Sequence, residues 1–237
     1  MNSLRDGSIV TDPRLDRIAH FDPRSRLFGI MDLMPPKAPR SRLWRCSKVL
    51  DQGAEGACVG FGVAHELIAT PAEALNVDAR YARESIYWEA QKKDPFPGGS
   101  YPGATPQYEG TTVLAGLQTI KAAGWCQEYR WSFGLDELIR GIGFNGPAIL
   151  GLPWYEGMFR PDAQGFIHAT GELAGGHCLI ARGVNVKTKT LVLHNSWGPN
   201  FGIAGDCFVS FDTADKLLHE NGEAAFLVGR HKTPRTA

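Results

Sequence analysis

The spacing of apolar residues changes partway along the chain. From Ala57 onward, Cys58, Phe61, Ala64, Leu67 and Ile68 recur at three- and four-residue intervals until Pro71, which predicts a helix with one apolar face. A second helix is predicted over 78–92, stopped by "DPFPGGSYPG", and a third over 111–123, closed by Gly124. Beyond Phe133 a short helix fits 135–142. The runs "PAILGLPWY", "GHCLIARGVN", "KTLVLHNSW", "GDCFVSF" and "AAFLVGR" then read as strands separated by Gly, Asn and Pro. "NVKTKT" reads as a hairpin turn between the second and third of them. Helices first and antiparallel strands afterwards predict an α+β chain of two lobes, with no internal repeat. Residues 1–43 differ in texture: Asp-Pro steps and "MPPKAPRSR" carry little periodic apolar content, so they read as an extended arm.

Composition narrows the function classes. Of 237 residues, 43% are hydrophobic and 21% charged, enough for a proper core. The formal charge is zero, which argues against a general nucleic-acid or membrane binder. Charge is nevertheless uneven. Residues 1–45 hold nine Lys/Arg against five Asp/Glu, so a basic arm precedes a mildly acidic body. No apolar run of about 18 residues spans a bilayer, and "MNSLRDGSIVTDPRLDR" lacks the apolar centre of a signal peptide. Five widely spaced cysteines with no CxxC pair suggest neither a zinc site nor a disulfide framework. The expectation is a cytoplasmic protein in a reducing compartment, without cofactor or metal.

Several motifs fail on inspection. "HELIA" lacks the second histidine of a helical zinc motif, and "GFGVAH" puts His65 where a dinucleotide fingerprint needs glycine. No phosphate-binding GxxxxGK[ST] is present. The cysteine in "LDQGAEGACVGFG" is more promising. Cys58 falls where a helix starts, and a helix N-terminus with a nearby imidazolium favours thiolate. Downstream, "GGHCLIARGVN" sets His177 at the start of an apolar strand, and "LVLHNSWG" sets Asn195 at the end of the next. Neighbouring antiparallel strands can bring those two together, so that an amide oxygen holds the ring and its other nitrogen faces a thiol. Taken singly, Cys58 would be packing, His177 structural and Asn195 a turn residue. Their joint occurrence in this order favours chemistry.

"QGAEGACVGF", "GGHCLIARGVN" and "NSWG" together resemble the papain-like cysteine peptidases, whose chain order is also Gln, Cys, His, Asn. The general layout matches from about residue 44 to 230. His177 and Asn195 follow Cys58 by 119 and 137 residues, against about 130–150 in the family, so trimmed loops are expected. The resemblance implies a two-lobe fold, a helical lobe over about 50–130 and a β-barrel-like lobe over about 131–230, with the active site between them and a tail from 231. It implies that Cys58 attacks a peptide carbonyl, His177 carries the proton and Asn195 orients the ring. Gln52 would share the oxyanion with the Cys58 N–H. It further implies that Trp197 shields the His–Asn bond, that Gly110 offers a backbone edge to substrate, and that Gly151, Leu152 and Cys178 lie near the main specificity pocket.

Departures from the family pattern are Glu55 in place of a disulfide cysteine, Val59 after the nucleophile, and Phe201 beyond "NSWG". They point to trimmed bacterial or viral relatives; a viral one would work in a virion or host cytoplasm. The expected partner is a peptide or protein substrate, with residues 1–43 acting as a short prosegment or cleft cover. An acyl transferase, ligase or deamidase on the same dyad, or a catalytically silent binding protein, stay open as alternatives.

Overall fold

The computed structural model describes residues 2–235. The arm contributes two short paired strands, β1 (Asn2–Ser3) and β2 (Ile9–Val10), two 3₁₀ turns, and β3 (Arg42–Leu43). Helix α1 (Cys58–Ile68) follows, buried along its whole length. The predicted helix over 78–92 begins with wide π-helical turns at Tyr81–Tyr87 and ends as α2 (Trp88–Gln91); α3 (Val113–Ala122) is close to expectation. The remaining elements are β4 (Glu128–Ser132), α4 (Leu135–Phe144), β5 (Ala148–Tyr155), a 3₁₀ turn (Glu156–Met158), β6 (Leu173–Asn185), β7 (Thr190–His194), β8 (Asp206–Ser210), α5 (Phe211–His219) and β9 (Glu223–Val228).

All five predicted strands are present, and the "NVKTKT" turn joins β6 to β7. Two elements had no apolar signature. "EYRWS" forms β4 because it pairs along β9, and α5 is a surface helix that buries only Ala214 and Leu217. Its start is nonetheless legible in chemistry: the Ser210 hydroxyl accepts from the Thr213 N–H, as an N-cap should.

Apart from the β1-β2 pair, the strands form one antiparallel sheet in the order β4-β9-β5-β6-β7-β8, and β3 pairs with the far end of β6. Alternation along the central strands explains their unbroken apolar sequence. Ala148, Leu150 and Leu152 on β5, with Leu179 and Ala181 on β6, join one core against α4 and α5. Ile149 on β5, with Cys178 and Ile180 on β6, joins a second core built on α1 and α3. Side chains of a strand point alternately to opposite faces, so a strand wedged between two cores must be apolar at every position. This arrangement delivers the start of α1 to the start of β6.

Candidate active site

Cys58 opens α1 at the point where helical N–H groups have no intrahelical partner. Ala57 at the cap position offers no side-chain acceptor. The acceptor comes from the arm. Asp16 Oδ1 takes the Cys58 N–H at 2.9 Å and the Cys58 thiol at 2.6 Å. The sulfur in turn accepts from the Cys178 N–H at 3.2 Å. Thus a carboxyl group 42 residues away caps the helix and the nucleophile candidate together.

His177 and Asn195 meet as the strand order predicted. His177 Nε2 lies 2.7 Å from Asn195 Oδ1, which also accepts from the Ser196 N–H at 2.8 Å. With Nε2 committed to Asn195, Nδ1 is the nitrogen left for chemistry, and among the described residues it has no hydrogen-bond partner. Trp197 stacks obliquely over the imidazole at 4.7 Å, and Trp154 meets the ring edge-on at the same distance. Phe159 and Phe201 close the cage around Trp197. Trp154 and Phe159 were not singled out from sequence. "PAILGLPWY" marked a strand but did not say which face its tryptophan would take.

Gln52 is anchored by the "NSWG" block. Its Oε1 accepts from the Ser196 hydroxyl at 2.7 Å, and its N–H donates to the Ser196 carbonyl at 2.9 Å. The amide NH₂ is thereby aimed at the arm, where it donates to the Arg14 carbonyl at 3.1 Å, as well as to the Glu55 carbonyl at 2.8 Å. Both donors assigned to an oxyanion, the Gln52 amide and the Cys58 N–H, are therefore occupied by residues 14 and 16.

The arm lies in the cleft as a built element. Thr11 N–H donates to Ala174 O at 3.1 Å, Arg17 N–H to Gly176 O at 3.1 Å, and Ile18 N–H to Thr111 O at 2.9 Å. Further out, Arg5 is buried in an ion pair with Asp94 and also donates to four backbone carbonyls, those of Gln91, Phe96, Pro97 and Gly110. Glycine makes the crossing possible at two places. A side chain at Gly176 would strike the Arg17 carbonyl at 2.2 Å, and one at Gly110 would strike Ile18 at 2.8 Å. Gly110 thus provides room, while the backbone edge that pairs with the arm is made by its neighbours, Glu109 beside Leu4 and Arg5 and Thr111 beside Asp16 to Ile18. The Gly110 N–H and carbonyl are held inward by Tyr87 and Arg5.

The other sequence-selected positions fall as follows. Gly151 lies opposite Cys178 on β6 and Glu223 on β9, with Arg17 against it. Leu152, opposite His177, points into the core beside α4 and α5. The Cys178 sulfur packs on Gly62 of α1, so this residue meets Cys58 through its backbone N–H. Asp16, Arg14, Arg17 and Glu223 were not found from sequence. No local pattern distinguishes a contact between residues 42 or 206 positions apart.

Electrostatics in this covered state disfavour ions at the dyad. Burial, helped by the Asp16 charge, pushes the Cys58 thiol well above its ordinary range. Burial pushes His177 down to about 4, although the bond to Asn195 opposes it. Asp16 is raised to about 7, mainly by burial, against the lowering effect of its bond to Cys58. The thiol and imidazole are consequently neutral at pH 7.

No family model matches this sequence, and no curated protein sequence does either. Solved structures do match. Xylellain, a cysteine protease from Xylella fastidiosa, superposes with a TM-score of 0.68 at 14% identity, over 94% of this chain and 98% of that one. Recombinant stem bromelain precursor gives 0.52 at 15% identity, over 95% of this chain and 80% of that one. Digestive procathepsin L 3 of Tenebrio molitor larval midgut gives 0.52 at 13% identity, over 92% and 75%. Identity this low speaks for architecture, since one fold can serve several chemistries. With its mixed helical and antiparallel-sheet layout, the chain has the two-lobe fold of the papain-like cysteine proteases.

Proposed function

We propose that this chain is a cysteine-type endopeptidase, held latent while its arm fills the cleft. The carrying observation is the 2.7 Å contact of His177 Nε2 with Asn195 Oδ1, which leaves Nδ1 without a hydrogen-bond partner among the described residues, at a site walled by Trp154 and Trp197. Once the arm withdraws, water reaches the thiol and imidazole, and the burial that keeps them neutral is relieved. Cys58 then passes its proton to His177 Nδ1, and the sulfur attacks a peptide carbonyl. The Gln52 amide and the Cys58 N–H stabilise the oxygen that becomes negative, helped by the positive end of α1. His177 returns the proton to the departing amine, and water releases the acyl group by the same route in reverse.

The direction of the arm supports latency over self-cleavage in this pose. Arg14 lies over Trp197, on the His177 side where the amine must leave, with its guanidinium carbon 4.1 Å from the indole. Asp16 sits at the thiol, and Arg17 lies beyond it. The arm therefore runs from the leaving-group side to the acyl side. A cleavable peptide must run the other way, because its acyl part precedes its amine part. The parallel bridge between Arg17 and Thr111 has the corresponding polarity.

The test is peptide-library cleavage read by mass spectrometry, using a chain whose arm is loosened by Asp16→Ala. Cleavage that disappears in the Asp16→Ala, Cys58→Ala chain is the expected result. Absence of cleavage in both, with the fold intact by circular dichroism, would overturn the reading.

A further inference from the structure

His194 ends β7 opposite Ile180 of β6, on the sheet face toward α1, whereas His177 and its neighbour Leu152 take the other face. It is a second buried imidazole, and the dyad does not use it. Its Nδ1 lies 2.7 Å from Asp206 Oδ1, and its Nε2 lies 3.2 Å from the Lys48 carbonyl. A carboxylate and a carbonyl oxygen only accept, so both ring nitrogens carry protons and the ring is an imidazolium. Burial opposes this charge, yet the bonds to Asp206 and to the Cys46 side chain raise His194 to about 9.

Around that ring the charges do not cancel. Arg182 grips both oxygens of Asp206, Nε donating to Oδ1 at 2.9 Å and Nη2 to Oδ2. One carboxylate thus faces two cations, and none of the three side chains is more than 17% exposed. His65 adds no anion. It meets His194 edge-on at 4.6 Å, its Nε2 accepts the Leu50 N–H at 2.9 Å, and burial together with the His194 charge keeps it neutral. The group that can balance the set is Cys46. Its sulfur points at the same Lys48 carbonyl, at 3.4 Å, and it interacts with both the His194 ring and the Arg182 charge. A cation held inside a protein is costly without a counter-charge, and a sulfur anion here would supply it. Cys46 is only half-buried, so a small reagent reaches it. The surroundings are basic as well: Arg45 and Lys232 share Glu73, and Lys48 Nζ donates to the Val77 carbonyl rather than to an acid. A cavity of about 340 Å³ lined by Ser47, Lys48, Asn76 and Lys232 follows directly along the chain.

We propose that Cys46 is a thiol–disulfide exchange site, separate from the cleft, whose co-reactant is a small disulfide carrying carboxylates. The thiol proton leaves to solvent and the sulfur bonds to one sulfur of the disulfide. The old S–S bond breaks, and the departing thiolate takes a proton from solvent. One disulfide bond is made for each one broken, and a second thiol reverses the step. His194 holds the negative charge on the attacking sulfur, and the surrounding cations favour an anionic reagent.

The experiment incubates the full chain with oxidised glutathione, or with cystamine as a cationic disulfide, at about pH 7.5. Samples are quenched with acid, and each cysteine is followed by peptide mass mapping. The reference is a chain carrying Cys46→Ser and Ser47→Cys, which moves the thiol one residue away from the ring. Cys46 should form the glutathione adduct about tenfold faster than the relocated thiol, and His194→Gln should slow it about tenfold. The preference for glutathione over cystamine should also fall about fivefold in His194→Gln. A merely loosened fold would speed both reagents alike and leave that ratio unmoved. Should His194→Gln fail to fold by circular dichroism, wild type is read at two salt concentrations instead, about 0.05 and about 0.5 M, where screening should reduce the same preference. A Cys46 no faster than the relocated thiol, a rate unaffected by a folded His194→Gln chain, or a reagent preference indifferent to salt would each overturn the assignment. Adducts confined to Cys58 would do so as well.

Discussion

Replacing Asp16 by alanine removes a cap and a thiol acceptor in one step. An N-cap is worth about 0.5–2 kcal/mol, and a hydrogen bond net of solvent about 0.5–1.5 kcal/mol. Asp16 makes one of each, at 2.9 Å to the Cys58 N–H and 2.6 Å to its sulfur. Against this stands the cost of burying a carboxyl that titrates only at about 7, which alanine avoids. Deducting that cost leaves about 1–2 kcal/mol in favour of the closed arm, or roughly 5–30-fold in the opening equilibrium. Alkylation of Cys58 by iodoacetamide, mapped by mass spectrometry at pH 7.5, reads that equilibrium if the arm opens and recloses faster than the reagent reacts. The expected acceleration is about tenfold, with Cys207, which is buried away from the cleft, serving as the internal reference. Asp16→Asn retains an acceptor oxygen and should fall between wild type and alanine. A rate in Asp16→Ala equal to or below that of wild type would refute the claim that this carboxyl holds the nucleophile closed.

Three further outcomes follow from the same contacts. With the arm loosened by Asp16→Ala, Gln52→Ala should lower turnover by about 10²–10³ if its amide serves the oxyanion; a loss under fivefold in steady-state assays would assign the oxyanion elsewhere. In the intact chain, the Asp16 carboxyl carbon should titrate at about 7 by NMR, and a midpoint near 4 would show that it is not buried against Cys58. The sign of the linkage follows: a carboxyl raised in the closed state favours closure as pH falls below 7, and its contribution is lost as pH rises through 7. Because His177 takes its proton from Cys58 on opening, it adds no solvent proton between these limits. Release of the arm, measured by its cutting by an added protease relative to the Asp16→Asn chain, should therefore increase from pH 5 to 7 and level above.

What the sequence disclosed followed local physics. Helix α1 was visible in its three- and four-residue repeat, and β5, β6 and β9 in their apolar runs, because burial on two faces demands apolar residues throughout. His177 and Asn195 could be paired in advance, since consecutive antiparallel strands are neighbours. Gln52 stands out only through the resemblance, and Ser196, which holds its amide in place, carries no local signal of that role although it stands in "NSWG". The arm's contacts were hidden for another reason. Asp16 and Arg17 sit in a segment without periodicity, and their partners Cys58 and Glu223 are found only once the sheet and cleft exist. Cys178 shows the limit of position without facing: adjacency to His177 leaves both a pocket wall and a buried small residue open, and the structure packs its sulfur on Gly62.

The most direct test of the central claim is covalent. An epoxysuccinyl peptide inhibitor should add its mass once to the Asp16→Ala chain, at Cys58, and the adduct should be lost in Cys58→Ala and strongly slowed in His177→Ala. Labelling that spreads over Cys46, Cys126 or Cys207 while Cys58 stays unmodified, or that proceeds equally fast without His177, would contradict an activated thiol at the head of α1.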